Sequence, residues 1–377
     1  MKYYLIAGEP SGDLHGANLM RGILKYDPEA EFRFWGGDKM AEVGGAQNLV
    51  KHYRETSFFG VVQVIANVRT IFRQLDECQS DLLQWAPDVV IHIDYPGFNF
   101  KVAKFAHSHG IRTFYYIAPK VWAWKEHRVK LIQRYVNRLF TIFPFESEYF
   151  RKWNIEPIFC GNPLVDAIEE RISEYPTRED FTKECGLDER PIIALVAGSR
   201  RSEINKNLPL MAKVARSFGD YQFVVSGVKW LDKELYDKHL EGTDIRIVFD
   251  KTDALLKHSV AAIVTSGTAT LEAALIGVPE VVVYRTDIVL NTLKHIGLHS
   301  YISLVNINLQ RECVAEIIQS SMDSRRVESE LRRILPGGDR REAMLRDFDG
   351  LRKLIGGSGS SERTACEMVK LLKENTQ

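Results

Sequence analysis

Short runs of apolar, mostly β-branched or aromatic residues recur along the chain, and most are followed by a polar or glycine-rich loop and then by a stretch with helical spacing. In the first half these runs cover residues 3–7, 32–37, 87–94, 112–118, 138–143 and 157–163. In the second half they cover residues 191–197, 222–226, 245–249, 261–265 and 279–284. Strands that alternate with helices are typical of parallel α/β sheets. The pattern therefore predicts two Rossmann-like, doubly wound parallel sheets.

The length of 377 residues is that of two domains of ordinary size. A polar, charged segment after Asp166 separates the two sets of strands. We predict an N-terminal domain over residues 1–165 and a C-terminal domain over 166–355. The Gly/Ser-rich residues 356–361 predict a flexible joint before a last helix within about 360–377. That helix either packs back on the first domain or exchanges with a neighbouring copy, which would make a homodimer.

Composition narrows the class of protein. The formal net charge is zero, so nothing points to nucleic acid. Five scattered cysteines without a C-x-x-C pair predict neither a disulfide framework nor a zinc site, and indicate a reducing compartment. The N-terminus is too short for a signal peptide, and no apolar run approaches the ~20 residues of a membrane span.

Ser266, Gly267 and Thr268 form a tight loop between the strand that ends at Thr265 and a helical run. Glycine lets the backbone approach a ligand closely, and the start of a helix points free N–H groups and a positive dipole at it. We expect a diphosphate there. Glu272, about one turn into the helix, is placed to meet a ribose hydroxyl; the alternative is an ordinary joint of an α/β protein.

Gly198, Ser199 and Arg200 form a second loop of this kind, in which backbone N–H groups, a hydroxyl and a guanidinium converge on a phosphate. The alternative is an exposed loop. No Asp-x-Asp stands at the predicted site, so we expect the helix N-terminus and arginine to carry the diphosphate charge, with no metal or other cofactor.

In the first half, polar groups follow two strands. Glu9, Ser11 and Asp13 come after the first strand, either as ligand-binding groups or with Ser11 or Asp13 as the cap of the next helix. Asp94 ends a central strand, where it is either a general base or a cap of the turn that follows.

Two segments of the first half have a surface character. Residues 57–75 are apolar at first and then carry Arg69 and Arg73 on one helical face, so the segment is either a buried helix or an acyl-chain or lipid contact. Its apolar candidates are Phe58, Val61, Val64 and Ile65. Trp122, Lys125 and Arg128 make a basic, amphipathic stretch, which is either a solvated face or a contact for phosphate or anionic lipid.

Seven motifs, in order from Leu5 to about Gln319, carry a family resemblance. They are Gly8-Glu-Pro-Ser-Gly-Asp13, Ile93-Asp-Tyr-Pro-Gly-Phe-Asn99, Pro119-Lys-Val-Trp-Ala-Trp124, Gly198-Ser-Arg200, Ser266-Gly-Thr-Ala-Thr-Leu-Glu272, Tyr284-Arg285 and Tyr301-Ile-Ser-Leu-Val-Asn306. Together they resemble the lipid A disaccharide synthases.

The resemblance implies a GT-B type glycosyltransferase with two domains facing a cleft. The implied reaction joins UDP-2,3-diacylglucosamine to 2,3-diacylglucosamine 1-phosphate (lipid X), giving the β-1,6 disaccharide and UDP. It also implies a cytoplasmic protein, peripheral on the inner membrane of a Gram-negative cell, that needs no metal.

On this basis we expect Asp94 to be the general base, with Glu9 or His15 as the alternative and Ser11 beside them. Gly97 stands where the family often has Asp, so Asp94 is the sole carboxylate of its turn. Residues expected to bind UDP are Gly198, Ser199, Arg200, Ser266, Gly267, Thr268, Glu272, Arg285 and Asn306. The competing classes are a UDP-sugar 2-epimerase or hydrolase of the same fold and a non-catalytic sugar-nucleotide binder.

Overall fold

The computed structural model describes residues 1–56, 68–121, 126–172, 174–285, 301–318 and 323–374. The chain divides into two compact units. The first unit comprises Met1–Ala167 and Ile355–Gln377, and the second comprises Ile168–Leu354. Each is built around one parallel sheet, which confirms the predicted fold class.

The first unit contains a seven-stranded sheet in the order β3-β2-β1-β4-β5-β6-β7. Its strands are β1 (Lys2–Ala7), β2 (Glu31–Gly36), β3 (Leu49–His52), β4 (Val89–Ile93), β5 (Arg112–Tyr116), β6 (Arg138–Thr141) and β7 (Ile158–Phe159). Its α-helices are α1 (Pro10–Tyr26), α2 (Asp38–Gly44), α3 (Tyr53–Thr56), α4 (Val68–Trp85), α5 (Pro96–Ser108), α6 (Val129–Tyr135), α7 (Pro144–Arg151), the first half of α8 (Pro163–Ile172) and α17 (Ser360–Glu374). Single 3₁₀ turns cover Ala46–Asn48 and Glu126–Arg128.

The strands of this sheet are buried on both faces. Tyr3 and Leu5 of β1 belong to one apolar cluster, whereas Tyr4 and Ile6 belong to another. Successive side chains of a strand point to opposite faces, so a strand with helices on both sides must be apolar throughout. This explains why the apolar runs of the sequence are nearly continuous.

The second unit contains a six-stranded sheet in the order β10-β9-β8-β11-β12-β13. Its strands are β8 (Ile192–Val196), β9 (Gln222–Gly227), β10 (Arg246–Phe249), β11 (Ser259–Thr265), β12 (Glu280–Tyr284) and β13 (Ala315–Ile318). Its further helices are α9 (Arg178–Cys185), α10 (Arg201–Ala215), α11 (Glu234–Leu240), α12 (Thr252–Lys257), α13 (Thr268–Ile276), α14 (Leu304–Leu309), α15 (Ser324–Ile334) and α16 (Arg341–Leu354).

Two strands, β3 and β13, were not predicted from the sequence. Both are four residues long and lie at the edge of their sheets. Most of their residues are only partly buried, so they lack the continuous apolar run that marks the central strands.

The prediction of a flexible joint over residues 356–361 is wrong. The Asp166 carboxylate accepts hydrogen bonds from the backbone N–H groups of Gly359, Ser360 and Ser361, at 2.7, 3.2 and 2.7 Å. A carboxylate at the start of a helix satisfies amides that have no partner within the helix. These contacts fix the segment to the first unit.

Helix α17 packs against α1 of the first unit. Its Met368 and Leu372 are fully buried in the same cluster as Leu19 and Ile23 of α1. At the rim of this contact, Lys25 forms an ion pair with Glu362 at 2.6 Å. The last helix is therefore part of the core of the first unit.

No helix in the described ranges has the length and apolar character needed to cross a bilayer.

Candidate functional site

The carboxyl ends of β1 and β4 bring two predicted catalytic residues to one edge of the first sheet. The two strands are paired in parallel, with Ala7 opposite Ile93. Asp94 directly follows Ile93, and Glu9 lies two residues after Ala7. Carboxyl ends of neighbouring strands are where open α/β sheets bind ligands.

Asp94 and Tyr95 both adopt left-handed backbone conformations, with φ of 43° and 48°. Such conformations are uncommon for residues other than glycine and persist where surrounding contacts hold them. The Asp94 carbonyl oxygen accepts hydrogen bonds from the Tyr115 hydroxyl at 2.7 Å and from Asn99 Nδ2 at 2.8 Å. The Asp94 N–H donates to the carbonyl oxygen of Tyr116 at 3.1 Å. Hydrogen bonds at both the N–H group and the carbonyl oxygen of Asp94 thus fix the turn.

Two buried side chains, those of His92 and Asn99, support this turn. Both side chains are fully buried, and His92 Nδ1 lies 3.3 Å from Asn99 Oδ1. Burial lowers the pKa of His92 to about 4, against the hydrogen bond with Asn99, which raises it. His92 is therefore neutral near pH 7 and holds the Asn99 amide without introducing a charge.

The Asp94 side chain itself reaches solvent. The protein crowded around it raises the pKa of the carboxyl through desolvation, while Lys120 and the Tyr95 N–H lower it. A carboxylate with a raised pKa is a better proton acceptor than a free one. This environment suits a general base.

Glu9 and Ser11 open helix α1. Glu9 is the N-cap of that helix, without a capping side-chain hydrogen bond, and its charge raises the pKa of Tyr95 after the larger effect of burial. The Tyr95 ring lies directly over Gly8, where a Cβ would come within 2.4 Å of Tyr95 Cγ. Glycine at position 8 is thus required by the ring that covers it. Ser11 is exposed.

Asp13 has a different partner from the one predicted. The expectation that Ser11 or Asp13 caps α1 is wrong, because the buried Asp13 carboxylate accepts from the backbone N–H groups of Gly37, Lys39 and Met40 at 2.7, 3.0 and 3.1 Å. Asp13 therefore caps the start of α2 and joins it to α1.

The predicted basic and apolar surface is only partly within the described residues. Phe58, Val61, Val64, Ile65, Trp122 and Lys125 lie outside them. Arg128 lies over the ring of Phe100 at 5.9 Å, and Phe100 in turn contacts Tyr115. Arg128 therefore lies next to the ring pair of Phe100 and Tyr115, and the Tyr115 hydroxyl binds the Asp94 carbonyl oxygen. Arg69 and Arg73 are exposed on α4 with Phe72 between them, and Phe72 is 56% exposed.

In the second unit, the loop from Gly198 to Arg200 joins β8 to α10. The N–H groups of Ser199 and Arg200 donate to Glu203 Oε2 at 3.0 and 3.3 Å, and the Arg200 guanidinium pairs with Glu203 Oε1 at 2.7 Å. A carboxylate of the same helix therefore accepts from both of these N–H groups, and the expectation that the loop holds a phosphate stays a prediction. The Arg200 side chain, 77% exposed, can still meet an anion.

Gly198 has a φ of 112°, and a Cβ there would lie 2.5 Å from Glu203 Oε2. The positive φ and the close approach of Glu203 therefore explain the glycine at this position.

The loop from Ser266 to Thr268 joins β11 to α13. The Ser266 hydroxyl donates to the carbonyl oxygen of Ile302 at 2.9 Å, and its N–H donates to Val283 at 3.1 Å. Both Ser266 donors are therefore used within the unit, and the expectation that this loop meets a diphosphate stays a prediction. Gly267 and Thr268 are exposed at the start of α13, where first-turn N–H groups have no acceptor within the helix. The helix start is therefore the part of this loop that is accessible to an anion.

Glu272 lies within α13 near a group of charged and polar residues. Burial raises the pKa of its carboxyl to about 7; nearby Asp253 adds to the rise and Arg171 opposes it. Arg171 and Asp253 form an ion pair. Glu272 therefore changes charge close to neutral pH.

Asn207 links the two strand ends that flank this site. Its side chain is fully buried in α10. Nδ2 donates to Thr265 Oγ1 at 3.2 Å, and Oδ1 accepts from the Arg285 N–H at 3.2 Å. One amide thus fixes the end of β11 to the end of β12, and so places the exposed Arg285 side chain.

Asn306 is buried and satisfied inside the unit. Its Oδ1 accepts from the N–H groups of Cys313 and Val314 at 2.7 and 3.0 Å, and its Nδ2 donates to Val314 and to Glu316 Oε1 at 2.9 Å. The expectation that Asn306 lies near the nucleotide stays a prediction, since these hydrogen bonds account for its side chain within the unit. Asn306 holds α14 against β13.

Several site residues were missed by sequence reasoning. Asn99 and Lys120 stand inside motifs already singled out, so their motif membership was an available signal. Tyr115 and Asn207 are placed by contacts between distant strand ends, which no local pattern reveals. In the described ranges, no three His, Cys, Asp or Glu side chains are grouped as ligands for a metal ion.

Sequence comparisons with a family model and with known proteins agree on one family. Residues 3–367 match the family model described as lipid-A-disaccharide synthetase. The lipid-A-disaccharide synthase of Syntrophus aciditrophicus is 33% identical, with 98% of each chain covered. That of Geobacter sulfurreducens is also 33% identical, over 98% of this chain and 96% of its own.

Solved structures show the fold. The UDP complex of S. aureus MnaA has a TM-score of 0.70 at 14% identity, covering 100% of this chain and 98% of that one. The UDP-GlcNAc 2-epimerase of Neisseria meningitidis has a TM-score of 0.67 at 13% identity, covering 99% and 100%. At these identities the likeness establishes the GT-B type fold of two parallel α/β domains. The sequence match, in contrast, spans nearly the whole chain. On that match the chain belongs to the lipid-A-disaccharide synthase family.

Proposed function

We propose that the chain transfers 2,3-diacylglucosamine from its UDP derivative to the 6-hydroxyl of 2,3-diacylglucosamine 1-phosphate, lipid X. The products are the β-1,6-linked disaccharide 1-phosphate and UDP. The observation that carries the proposal is the family match over residues 3–367. The placement of Asp94 at the carboxyl edge of the first sheet supports it.

The reaction is a single displacement with inversion, because an α-linked UDP sugar becomes a β-glycoside. The acceptor O6 attacks the donor C1, the bond from C1 to the diphosphate oxygen breaks, and Asp94 takes the O6 proton. The raised pKa of the Asp94 carboxyl suits this transfer, and Lys120 keeps the carboxyl ionised before it. Glu9, at the end of the neighbouring strand, is the alternative base.

The departing diphosphate is stabilised in the second unit without a metal. The exposed start of α13 at Gly267 and Thr268 supplies N–H groups and the positive end of the helix dipole. Arg200 and Arg285, both exposed, supply positive charge. The Glu272 carboxylate accepts hydrogen bonds from the ribose hydroxyls.

The acyl chains and lipid phosphates require an apolar, basic surface. We assign it to the segment over residues 57–75, whose described part presents Arg69, Phe72 and Arg73 on α4. Lys101 of α5 lies over the Phe72 ring at 5.0 Å and adds positive charge. We propose that the protein works through this surface as a peripheral protein at the inner face of the cytoplasmic membrane.

Sedimentation with vesicles of anionic phospholipid tests that surface. Replacing Arg69 and Arg73 together by Ala should weaken vesicle binding about ten-fold or more, since each basic residue near an anionic surface contributes about 1 kcal/mol. Arg325 and Arg326, exposed on α15 of the second unit, give a matched double variant that should bind like wild type. Equal binding by wild type and both double variants would remove the assignment.

The reaction class is tested by the release of UDP from UDP-diacylglucosamine, with and without lipid X. Release that depends on lipid X supports the transferase. Equal release without the acceptor indicates a hydrolase, conversion to a 2-epimer indicates an epimerase, and binding without release indicates a non-catalytic sugar-nucleotide binder. Each of these three results overturns the proposal.

A further inference from the structure

The indole of Trp230 is 65% exposed, although tryptophan is among the most apolar of side chains. Trp230 lies three residues after the end of β9, at the carboxyl edge of the second sheet. Its Nε1 donates to the carbonyl oxygen of Ser199 at 3.2 Å. The ring is therefore anchored beside the loop that carries Arg200, with most of its surface open to solvent.

The order of strands relates this ring to the nucleotide site. The sheet runs β10-β9-β8-β11, and neighbouring strands lie about 4.8 Å apart. The end of β9 is thus about 10 Å from the end of β11, where α13 begins. That separation is comparable to the span from a nucleotide's phosphate, across its ribose, to its base.

The position of Glu272, the proposed partner of the ribose, agrees with a base bound beside Trp230. Glu272 of α13 lies near Asp253 of α12, and α12 follows β10. The loop after β9 is joined to the loop after β10, because the Lys229 N–H donates to Asp250 Oδ1 at 3.3 Å and Lys229 Nζ pairs with Asp250 at 3.4 Å. A nucleoside that starts at α13 and passes Glu272 therefore reaches the edge formed by β9 and β10, where Trp230 stands.

We propose that Trp230 is the stacking surface for the uracil base of the sugar nucleotide. The inference rests on the proposed function and adds the residue that recognises the base. A flat indole held by one hydrogen bond offers a nucleobase a large apolar contact at little cost in side-chain entropy. Stacking of this kind makes the site prefer a nucleoside diphosphate over diphosphate alone.

Binding of UDP and of inorganic diphosphate to the full chain tests the proposal by calorimetry. Trp230→Ala should weaken UDP binding about ten-fold or more, the scale of base–aromatic stacking, and should leave diphosphate binding unchanged. Trp230→Phe keeps an aromatic ring and loses the bond to Ser199, so its affinity for UDP should stay within about three-fold of wild type.

Tryptophan fluorescence gives an independent readout. UDP should quench the emission of the wild-type protein, and Trp230→Phe should abolish most of that quenching. Trp153→Phe, the same change in the first unit at a half-buried position, is the matched control and should retain it.

Two results overturn the proposal separately from the proposed function. They are a Trp230→Ala variant that binds UDP as tightly as wild type, and one that loses UDP and diphosphate affinity equally, in a protein that still releases UDP in response to lipid X. A wild-type protein that does not bind UDP at all would overturn both the role of Trp230 and the proposed function.

Discussion

The hydroxyl of Tyr115 donates a 2.7 Å hydrogen bond to the backbone carbonyl oxygen of Asp94. Because Asp94 has a left-handed backbone, this bond helps to hold the proposed base in an otherwise disfavoured conformation. We expect Tyr115→Phe to lower kcat about five-fold, the effect of losing about 1 kcal/mol, with an unchanged KM for the donor. Steady-state kinetics of UDP release measure both.

Tyr116→Phe is the matched control for this change, since Tyr116 follows in the same strand, is equally buried and points to the other face of the sheet, into the cluster that includes Met368. It should leave kcat unchanged. A Tyr115→Phe protein that is less stable than wild type but turns over at the wild-type rate would show that the bond serves the fold alone.

Asp94→Asn should reduce turnover by about 10²–10⁴-fold while the protein remains folded, because general-base assistance is typically of that size. Near-normal turnover would exclude Asp94 as the base. Glu9→Gln in parallel identifies the alternative, and should cost much less.

The pH profile of kcat/KM gives a second view of Asp94. A base must be ionised to act, so activity should fall as the pH drops through the pKa of this carboxyl. Desolvation raises that pKa above the ordinary value of 3.8, so the acid limb should lie above that of a free Asp. An acid limb that persists unchanged in the residual activity of Asp94→Asn would assign it to another group.

Glu272 should make stability depend on pH near neutrality. Its pKa in the folded protein is about 7, against 4.5 for a free glutamate. A raised pKa means that the folded state holds the proton more tightly, so the unfolding free energy falls as pH rises from about 4.5 through 7. Glu272→Gln has no ionisable group at this position and does not lose this stability as the pH rises. The Tm of Glu272→Gln minus the Tm of wild type should therefore be larger at pH 8 than at pH 5.

Calorimetric melting curves of wild type and Glu272→Gln across this range measure the effect. Glu241→Gln, at an exposed position, is the control and should follow wild type at every pH. A constant difference in Tm between Glu272→Gln and wild type would contradict the burial of an ionisable group at position 272.

Asn207→Ala should lower the unfolding free energy by about 1–3 kcal/mol, because it leaves the Thr265 hydroxyl and the Arg285 N–H without their shared partner. It should also weaken UDP binding, since both strand ends flank the start of α13. Asn205→Ala, at an exposed position of the same helix, should change stability by less than about 0.5 kcal/mol. Equal effects of the two variants in denaturant titrations would rule out the bridging role.

The fold could be predicted from the sequence because central parallel strands are buried on both faces. β1, β4, β8 and β11 are apolar almost throughout, and such runs can be recognised without knowing what they pack against. The edge strands β3 and β13 contact a neighbour on one side only, and their mixed composition concealed them.

The sequence places the candidate site at the carboxyl edges of the two sheets, but it does not reveal the hydrogen bonds within that site. Loops after parallel strands meet at one edge of a sheet, so Asp94, Glu9 and Thr268 could be assigned to ligand-binding edges from the chain order alone. The side-chain hydrogen bonds of Ser266 and Asp13 go to residues more than 20 positions away, and no local pattern encodes such partners. Glu203 is different: it lies three residues after Arg200, the usual spacing of a helix-start carboxylate, and could have been foreseen.

The most direct test of the account is the structure of the product formed from UDP-diacylglucosamine and lipid X by the purified protein. Mass spectrometry and NMR of the isolated lipid identify the new bond and its anomeric configuration. We predict one disaccharide 1-phosphate, linked β-1,6, formed in equal amount to the UDP released and absent when lipid X is withheld. Free diacylglucosamine, a 2-epimer of the donor or an α-linked disaccharide would contradict the inverting transfer from UDP-diacylglucosamine to lipid X.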